Sequence, residues 1–226
     1  MNKTVIITGA AGNLGKPTVE VFLKNNWNVE AIVNKNSAVN FVKNELLHIT
    51  SVDVTDESSI KKFFTNINSR CQKIDALICL VGGYTHGSLV ETDKSVLEKM
   101  MNLNFYSAFN LARLTFEQMK KQNNGRIIFI GSPPATDANE AVHSVGYALS
   151  KSLLYKLAET MNCETAGKKV KSFIVVPVTI DTMQNRASMP DADFSKWMPA
   201  ITIAEKLFQI CSDESNNTYP AIIELD

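Results

Sequence analysis

The sequence predicts an α/β protein built on one mostly parallel, doubly wound sheet with helices on both faces, and three observations lead there. Runs of β-branched and apolar residues alternate with amphipathic segments along the whole chain, which calls for strands that return in the same direction through helices. The first such run, Thr4-Val5-Ile6-Ile7, breaks into a turn holding Gly9, Gly12 and Gly15, the strand, glycine turn and helix order that lets a backbone approach a phosphate. Asp53, Gly82, Ser132, Tyr147 and the stretch from Pro177 to Thr182 would all fall at the carboxyl edge of that sheet, where open α/β sheets bind ligands.

Taken in order, Thr4 to Ile7 is the first strand, and the turn Thr8-Gly9-Ala10-Ala11-Gly12-Asn13-Leu14-Gly15 leads into a helix from Pro17 to Asn25. The helix amino terminus offers free N–H groups and a positive dipole end to a pyrophosphate; a merely tight turn would use the same glycines. Val29 to Val33 is the second strand, and Asn34-Lys35-Asn36 follows it. No acid stands there to hold a ribose 2′-hydroxyl, and Lys35 suits a 2′-phosphate, which tilts the cofactor from NAD toward NADP. A solvated loop lysine is the bland alternative. Leu46 to Val52 reads as the third strand, with Asp53 at its end near an adenine edge and Asp56 as the N-cap of a helix from Ser58 to Arg70.

Ala76 to Val81 is apolar throughout, as a strand covered on both faces must be, and it ends at Gly82-Gly83-Tyr84. Ser95 to Lys121 has helical periodicity but contains Asn102 and Asn104, poor interior helix residues that suggest a task beyond propensity. Asn123-Asn124-Gly125 closes that helix, and Ile127 to Ile130 is a strand ending at Gly131-Ser132. Lys171 to Val176 is the next strand. Residues 178–200 are rich in Met, Pro and Asp, with Phe194 and Trp197, and suit a substrate lid or an excursion that packs on the core. Thr202 is expected to cap a helix from Ala204 to Cys211, and Ala221 to Leu225 to form the last strand.

Composition bounds the function. The 226 residues are 45% hydrophobic and 20% charged, enough to bury one large core, so residues 1–226 are read as a single domain. A formal charge of zero suggests neither nucleic acid nor an acidic membrane as a partner. No apolar run reaches the roughly 18 residues of a membrane span. The segment from Met1 to Gly9 passes directly into a strand pattern, unlike a signal peptide, so a cytoplasmic location is expected. Cys71, Cys79, Cys163 and Cys211 contain no C-x-x-C, and His48, His86 and His143 lie far apart; reduced thiols are expected, and no metal.

The chemistry centres on Tyr147-Ala148-Leu149-Ser150-Lys151. On a helix, residues four apart share a face, separated by about 6 Å of rise. A free phenol titrates near pH 10. An ammonium about 4 Å away, at an effective dielectric of about 20, would favour the phenolate by roughly 4 kcal/mol and bring the group toward neutrality, where proton transfer is most effective. The same spacing also occurs on solvated helix faces.

These features together resemble the short-chain dehydrogenase/reductase family over essentially the whole chain, and the resemblance implies a Rossmann-type fold. Thr8 to Gly15 looks like the family's cofactor motif and brings in Asn13 and Leu14. Asp53-Val54 resembles its adenine-contacting pair, and Gly82 the glycine of its Asn-Ala-Gly. Asn104-Phe105-Tyr106-Ser107-Ala108-Phe109 resembles the segment bearing its active-site asparagine, which points to Asn104 rather than Asn102. Ser132 matches the catalytic serine position, and Tyr147 with Lys151 the signature pair. Pro177 to Thr182, with Asn185-Arg186, Met189-Pro190, Asp193-Phe194-Ser195 and Trp197, is similar to the quinonoid dihydropteridine reductases. Those enzymes generally lack a serine at the place of Ser132 and carry an acid after the second strand.

The resemblance implies NAD(P)H-dependent hydride transfer to a carbonyl or quinonoid-pterin-like carbon. Tyr147 would be the proton donor, Lys151 its pKa modulator and ribose contact, and Ser132 a hydrogen-bond donor to the substrate. Asn104 would order a water, and Thr179 and Thr182 would hold the nicotinamide carboxamide. It also implies a homo-oligomer, dimer or tetramer, joined through the helices Ser95 to Lys121 and Val145 to Ala166. Two other readings are a non-catalytic NAD(P)-binding sensor or scaffold of the same fold and a flavodoxin-like phosphate binder. The second leaves Tyr147 and Lys151 unexplained.

Overall fold

The computed structural model describes residues 2–215 and 219–225. Seven strands form one sheet: β1 (Thr4–Thr8), β2 (Asn28–Val33), β3 (Leu47–Ser51), β4 (Ala76–Cys79), β5 (Asn124–Ile130), β6 (Lys169–Pro177) and β9 (Ile222–Leu225). Their order is β3-β2-β1-β4-β5-β6-β9, and every neighbouring pair is parallel. The chain winds outward from β1 in one direction to β3 and then returns past it to β4, so the crevice between β1 and β4 opens at their carboxyl ends.

Alternate residues of each strand enter opposite layers, as the period-2 pleat requires. Ile6, Leu77, Ile127 and Ile174 join one core, whereas Val5, Ile7, Ile78, Ile128 and Val175 join the other. The first core is covered by α2 (Glu57–Asn68), α4 (Ser107–Gln122) and α6 (Val145–Glu164), and the second by α1 (Gly15–Lys24) and α8 (Ala200–Ser212). Among the described residues no helix is long and apolar enough to cross a membrane.

Several boundaries differ from the sequence expectation, each for a local reason. β4 ends at Cys79 rather than Val81 because the Thr8 hydroxyl takes over as acceptor, receiving the N–H of Leu80 at 3.0 Å and of Val81 at 3.4 Å. The chain thereby leaves the sheet and turns across the crevice. Thr202 is not a cap: α8 starts at Ala200 behind Pro199, which has no N–H to satisfy and a φ already suited to the approach. Asp56 does cap α2, accepting from Ser58 and Ser59 N–H.

The helical run expected from Ser95 to Lys121 extends from Lys94 to Gln122, but it is not uniform. Between α3 (Lys94–Met100) and α4 lies a six-residue π turn, Met101–Tyr106. Both asparagines fall in it, so their low α propensity bears on a turn that is not α-helical. Asn123, at φ 52°, closes α4 in the left-handed region.

Several short elements went unread in the sequence. α5 (Ala138–Ala141) lies between β5 and α6. Within residues 178–200, β7 (Ile180–Asp181) pairs in parallel with β8 (Met198–Pro199) and α7 (Met183–Ser188) lies between them.

Candidate active site

The glycine turn after β1 is a cradle that side chains would fill. Gly9 has φ 63°, and a Cβ there would approach the backbone of Leu80 and Val81 at 3.2 Å. A Cβ on Gly15 would overlap the Gly9 carbonyl oxygen, so β1 and α1 meet this closely only around glycine. Gly12 N–H closes the turn on Gly9 O at 2.9 Å. Leu14, at the N-cap of α1, provides no side-chain cap, and the first turn carries no acid. The positive end of the helix therefore faces the turn without a protein anion to neutralise it, which fits a pyrophosphate. Asn13 is exposed on the turn's rim, whereas Leu14 is buried beneath it.

The outer residues are more loosely placed. Asn34 Oδ1 accepts from Asn36 N–H at 3.2 Å, which shapes the turn and leaves Lys35 exposed at its tip. Asp53 is exposed and holds its own loop, its Oδ1 accepting from Thr55 N–H at 2.9 Å and Thr55 Oγ1 at 2.6 Å. Val54 packs into the core, so its side chain is not part of the cleft.

The inner residues converge. Gly82 lies against both Asn104 and Lys151: a Cβ there would stand 3.0 Å from Asn104 Oδ1 and 3.4 Å from Lys151 Nζ. Asn104 is buried, and its amide Nδ2 donates to Gly83 O at 3.0 Å and Ser150 Oγ at 2.9 Å while Oδ1 accepts from Gly83 N–H at 2.8 Å. Both amide hydrogens are thus taken, and the side chain braces the Gly82-Gly83 turn against α6.

Lys151 reaches from α6 to the end of β5, where Nζ donates to Ile130 O at 2.9 Å. Burial pushes its pKa down to about 8, opposed by the nearby Cys79. Its Nζ lies 6.0 Å from the centroid of the Tyr147 ring. This corrects the sequence-based electrostatics: the Tyr147 pKa is raised, chiefly by burial, with the Ser132 hydroxyl lowering it and Tyr84 raising it. An ammonium anchored to a main-chain carbonyl and itself desolvated does not outweigh the loss of water around the phenol.

Ser132 is buried just past β5, and its Oγ has no hydrogen-bond partner that meets normal geometry, although it lies near enough to the Tyr147 phenol to affect its pKa. A buried hydroxyl without a partner is rare in a folded interior. Tyr84, exposed beyond the Gly-Gly turn, sets its ring against Tyr147 at 5.1 Å and 66°. The loop that carries it is tied to the start of α6, Gly87 N–H donating to His143 O at 2.8 Å and Val145 N–H to Gly87 O at 3.0 Å.

On the far side, Pro177 ends β6, and Thr179 is exposed, its carbonyl accepting from Met198 N–H at 2.9 Å. Thr182 caps α7, its Oγ1 accepting from Asn185 N–H at 3.0 Å. The segment folds on itself. Arg186 forms a two-point pair with Asp181 at 2.6 and 2.8 Å and lies 4.7 Å from the Phe194 ring, which contacts Trp197 at 4.7 Å.

Sequence reading missed Tyr84 and Tyr155. Tyr155 Oη accepts from Ser132 N–H at 3.3 Å and donates to Ser132 O at 3.2 Å. The signal for it was present: Tyr147, Lys151 and Tyr155 are spaced at i, i+4 and i+8, one face of a helix. Among the described residues no cluster suited to a metal ion is found.

A parallel sheet with an uncapped glycine turn after its first strand and a tyrosine–lysine helix at its carboxyl edge defines a nucleotide-dependent oxidoreductase of the Rossmann type. A family model described as short chain dehydrogenase matches residues 3–193, and the chain belongs to that family. It is similar to a dihydropteridine reductase of Dictyostelium discoideum, 29% identical over 214 residues, covering 92% of this chain and 87% of that protein. It is also similar to the 3-oxoacyl-[acyl-carrier-protein] reductase FabG of Thermotoga maritima, 25% identical over 238 residues, covering 99% and 96%. The solved structure of ElxO with NADP bound superposes with a TM-score of 0.88 at 22% identity, covering 100% and 98% of the two chains. The protein is an NAD(P)-dependent oxidoreductase.

Proposed function

We propose that this enzyme reduces a carbonyl or quinonoid-pterin-like acceptor with NADPH in preference to NADH, Tyr147 giving the proton. The observation that carries the reading is the buried, unpartnered Ser132 hydroxyl beside the Tyr147 phenol: two O–H groups at the cleft, one with a free hydrogen-bonding capacity that a substrate oxygen would meet. The bound dinucleotide supplies a hydride. Gly9, Gly12, Asn13, Leu14 and Gly15 hold its pyrophosphate, Asp53 and the backbone of Val54 its adenine side, and Asn34 with Lys35 the ribose and 2′-phosphate. Gly82 lies flat beside Lys151, which holds the inner ribose, while Pro177, Thr179 and Thr182 line the carboxamide side.

Tyr147 keeps its proton until the substrate oxygen gains charge, because burial holds its pKa up; that suits a donor in the reductive direction. Ser132 steadies the same oxygen. Asn104 positions the Gly82-Gly83 turn. The exposed Tyr84 ring, edge-on to Tyr147, offers a flat flank for a planar heterocycle, and the dihydropteridine reductase relative supports a pterin. Residues 178–200 form the lid over this side. Exposed Tyr106 and Leu149 on the two long helices support self-association there.

Tyr147→Phe tests the reading. NADPH oxidation with a panel of carbonyls and quinonoid dihydropterin should fall by about 10²–10⁴-fold, with NADPH affinity changed less than a few-fold. Wild-type turnover in that variant refutes the assignment.

A further inference from the structure

We infer that Tyr155 is a positioning residue that acts through Ser132, its phenol tying the serine's main chain so that the hydroxyl stays against Tyr147. The inference rests on the roles proposed above for Ser132 and Tyr147. One hydroxyl engages both backbone groups of one residue, accepting from Ser132 N–H at 3.3 Å and donating to Ser132 O at 3.2 Å.

Ser132 has need of such a tie. The N–H of Gly131 still bonds across the sheet to Val175 O at 2.8 Å, but β5 ends at Ile130 and Ser132 is extended beyond it, at φ −163° and ψ 152°. Pro133 and Pro134 come next and carry no N–H with which to anchor the loop. The Ser132 hydroxyl makes no hydrogen bond of its own, so its position follows from the backbone and one side-chain torsion.

The fit around Tyr155 is close. A Cβ on Gly131 would stand 2.5 Å from the Tyr155 hydroxyl and 3.0 Å from Cζ, so glycine at 131 admits the ring. Burial raises the Tyr155 pKa; the phenol stays protonated at neutral pH and serves as donor and acceptor together. Tyr155 also rides on α6, one turn beyond Lys151 and two beyond Tyr147. A single helix therefore presents the proton donor and sets the distance to its hydroxyl neighbour, and a slip of a fraction of an ångström there degrades the reacting geometry.

The test is steady-state NADPH oxidation by Tyr155→Phe, Ser132→Ala and the double variant. Tyr155→Phe keeps the ring and removes the tie; kcat should drop about tenfold, the value of a hydrogen bond, with KM for NADPH within about twofold because the nucleotide cradle is untouched. The double variant should be no slower than Ser132→Ala, since nothing remains to be positioned. Tyr155→Met, which removes the hydroxyl with a different shape, should show the same non-additivity. Multiplying losses in the double variants overturn the inference. So does wild-type kcat in Tyr155→Phe beside an impaired Ser132→Ala, which leaves the active-site reading intact. Wild-type turnover in Ser132→Ala sinks both.

Discussion

Replacing Lys151 with methionine should make the cofactor-free protein more stable while removing its activity. The Lys151 ammonium is buried, and its pKa falls from an ordinary 10.5 to about 8. At about 1.4 kcal/mol per pKa unit, keeping that charge inside at pH 7 costs about 3 kcal/mol. Methionine is similar in length and carries no charge. It forfeits the Nζ bond to Ile130 O, which offsets about 1 kcal/mol, and leaves a gain of about 2 kcal/mol. For a chain of this size that is a rise in Tm of roughly 4–8 °C.

The pH dependence separates this cause from better packing. With the folded pKa below the unfolded one, the unfolded chain holds more protons on this group between pH 8 and 10.5, so the Lys151 contribution to wild-type stability rises with pH through that window. By pH 9.5 the remaining cost is about 1.5 kcal/mol, and the variant's advantage shrinks to a few tenths. Burial raises the pKa values of the titratable neighbours Cys79, to about 12, and Tyr147; both groups are present in wild type and variant alike, so the difference between the two chains follows Lys151. Thermal unfolding followed by circular dichroism at pH 7 and pH 9.5 reads both quantities. A variant less stable than wild type at pH 7, or a difference independent of pH, refutes the reasoning.

Lys35→Glu should raise KM for NADPH by about 10–100-fold, the value of one or two charge-assisted hydrogen bonds, with KM for NADH unchanged or lower; equal effects on the two cofactors would place Lys35 outside the ribose site. On the helices, Tyr106→Arg combined with Leu149→Arg should yield a species near the 25.0 kDa chain mass in sedimentation velocity, whereas the wild type is expected at two or four times that mass. A wild type already sedimenting at one chain mass rules out the interface.

The parts of the site legible in the sequence are those written in local spacing. The glycines at 9, 12 and 15 announce a turn, and Tyr147 and Lys151 share a helix face whatever surrounds them. The parallel sheet follows from alternation of elements, and Asp56 reads correctly as a cap because capping involves only the next three residues. What failed depends on distant groups. The direction of the Tyr147 pKa rests on burial and on Lys151 Nζ finding Ile130 O, neither of which is implied by a four-residue spacing. The end of β4 is set by a hydroxyl 72 residues earlier. Likewise β7 and β8 are two residues each, too short to leave a periodic trace.

The wide turn at Met101–Tyr106 fixes the phase of everything after it. Each residue of an α-helix advances the screw by about 100°, so removing one residue here, while easing the local geometry into ordinary α form, would swing Leu111, Phe116 and Met119 away from the sheet or else drag Asn104 off the Gly82-Gly83 loop. The helix can satisfy its hydrophobic half and its cleft half at once only with the extra residue between them. Length in this segment is thus under tighter constraint than composition, and single-residue deletions there should be tolerated less than most substitutions.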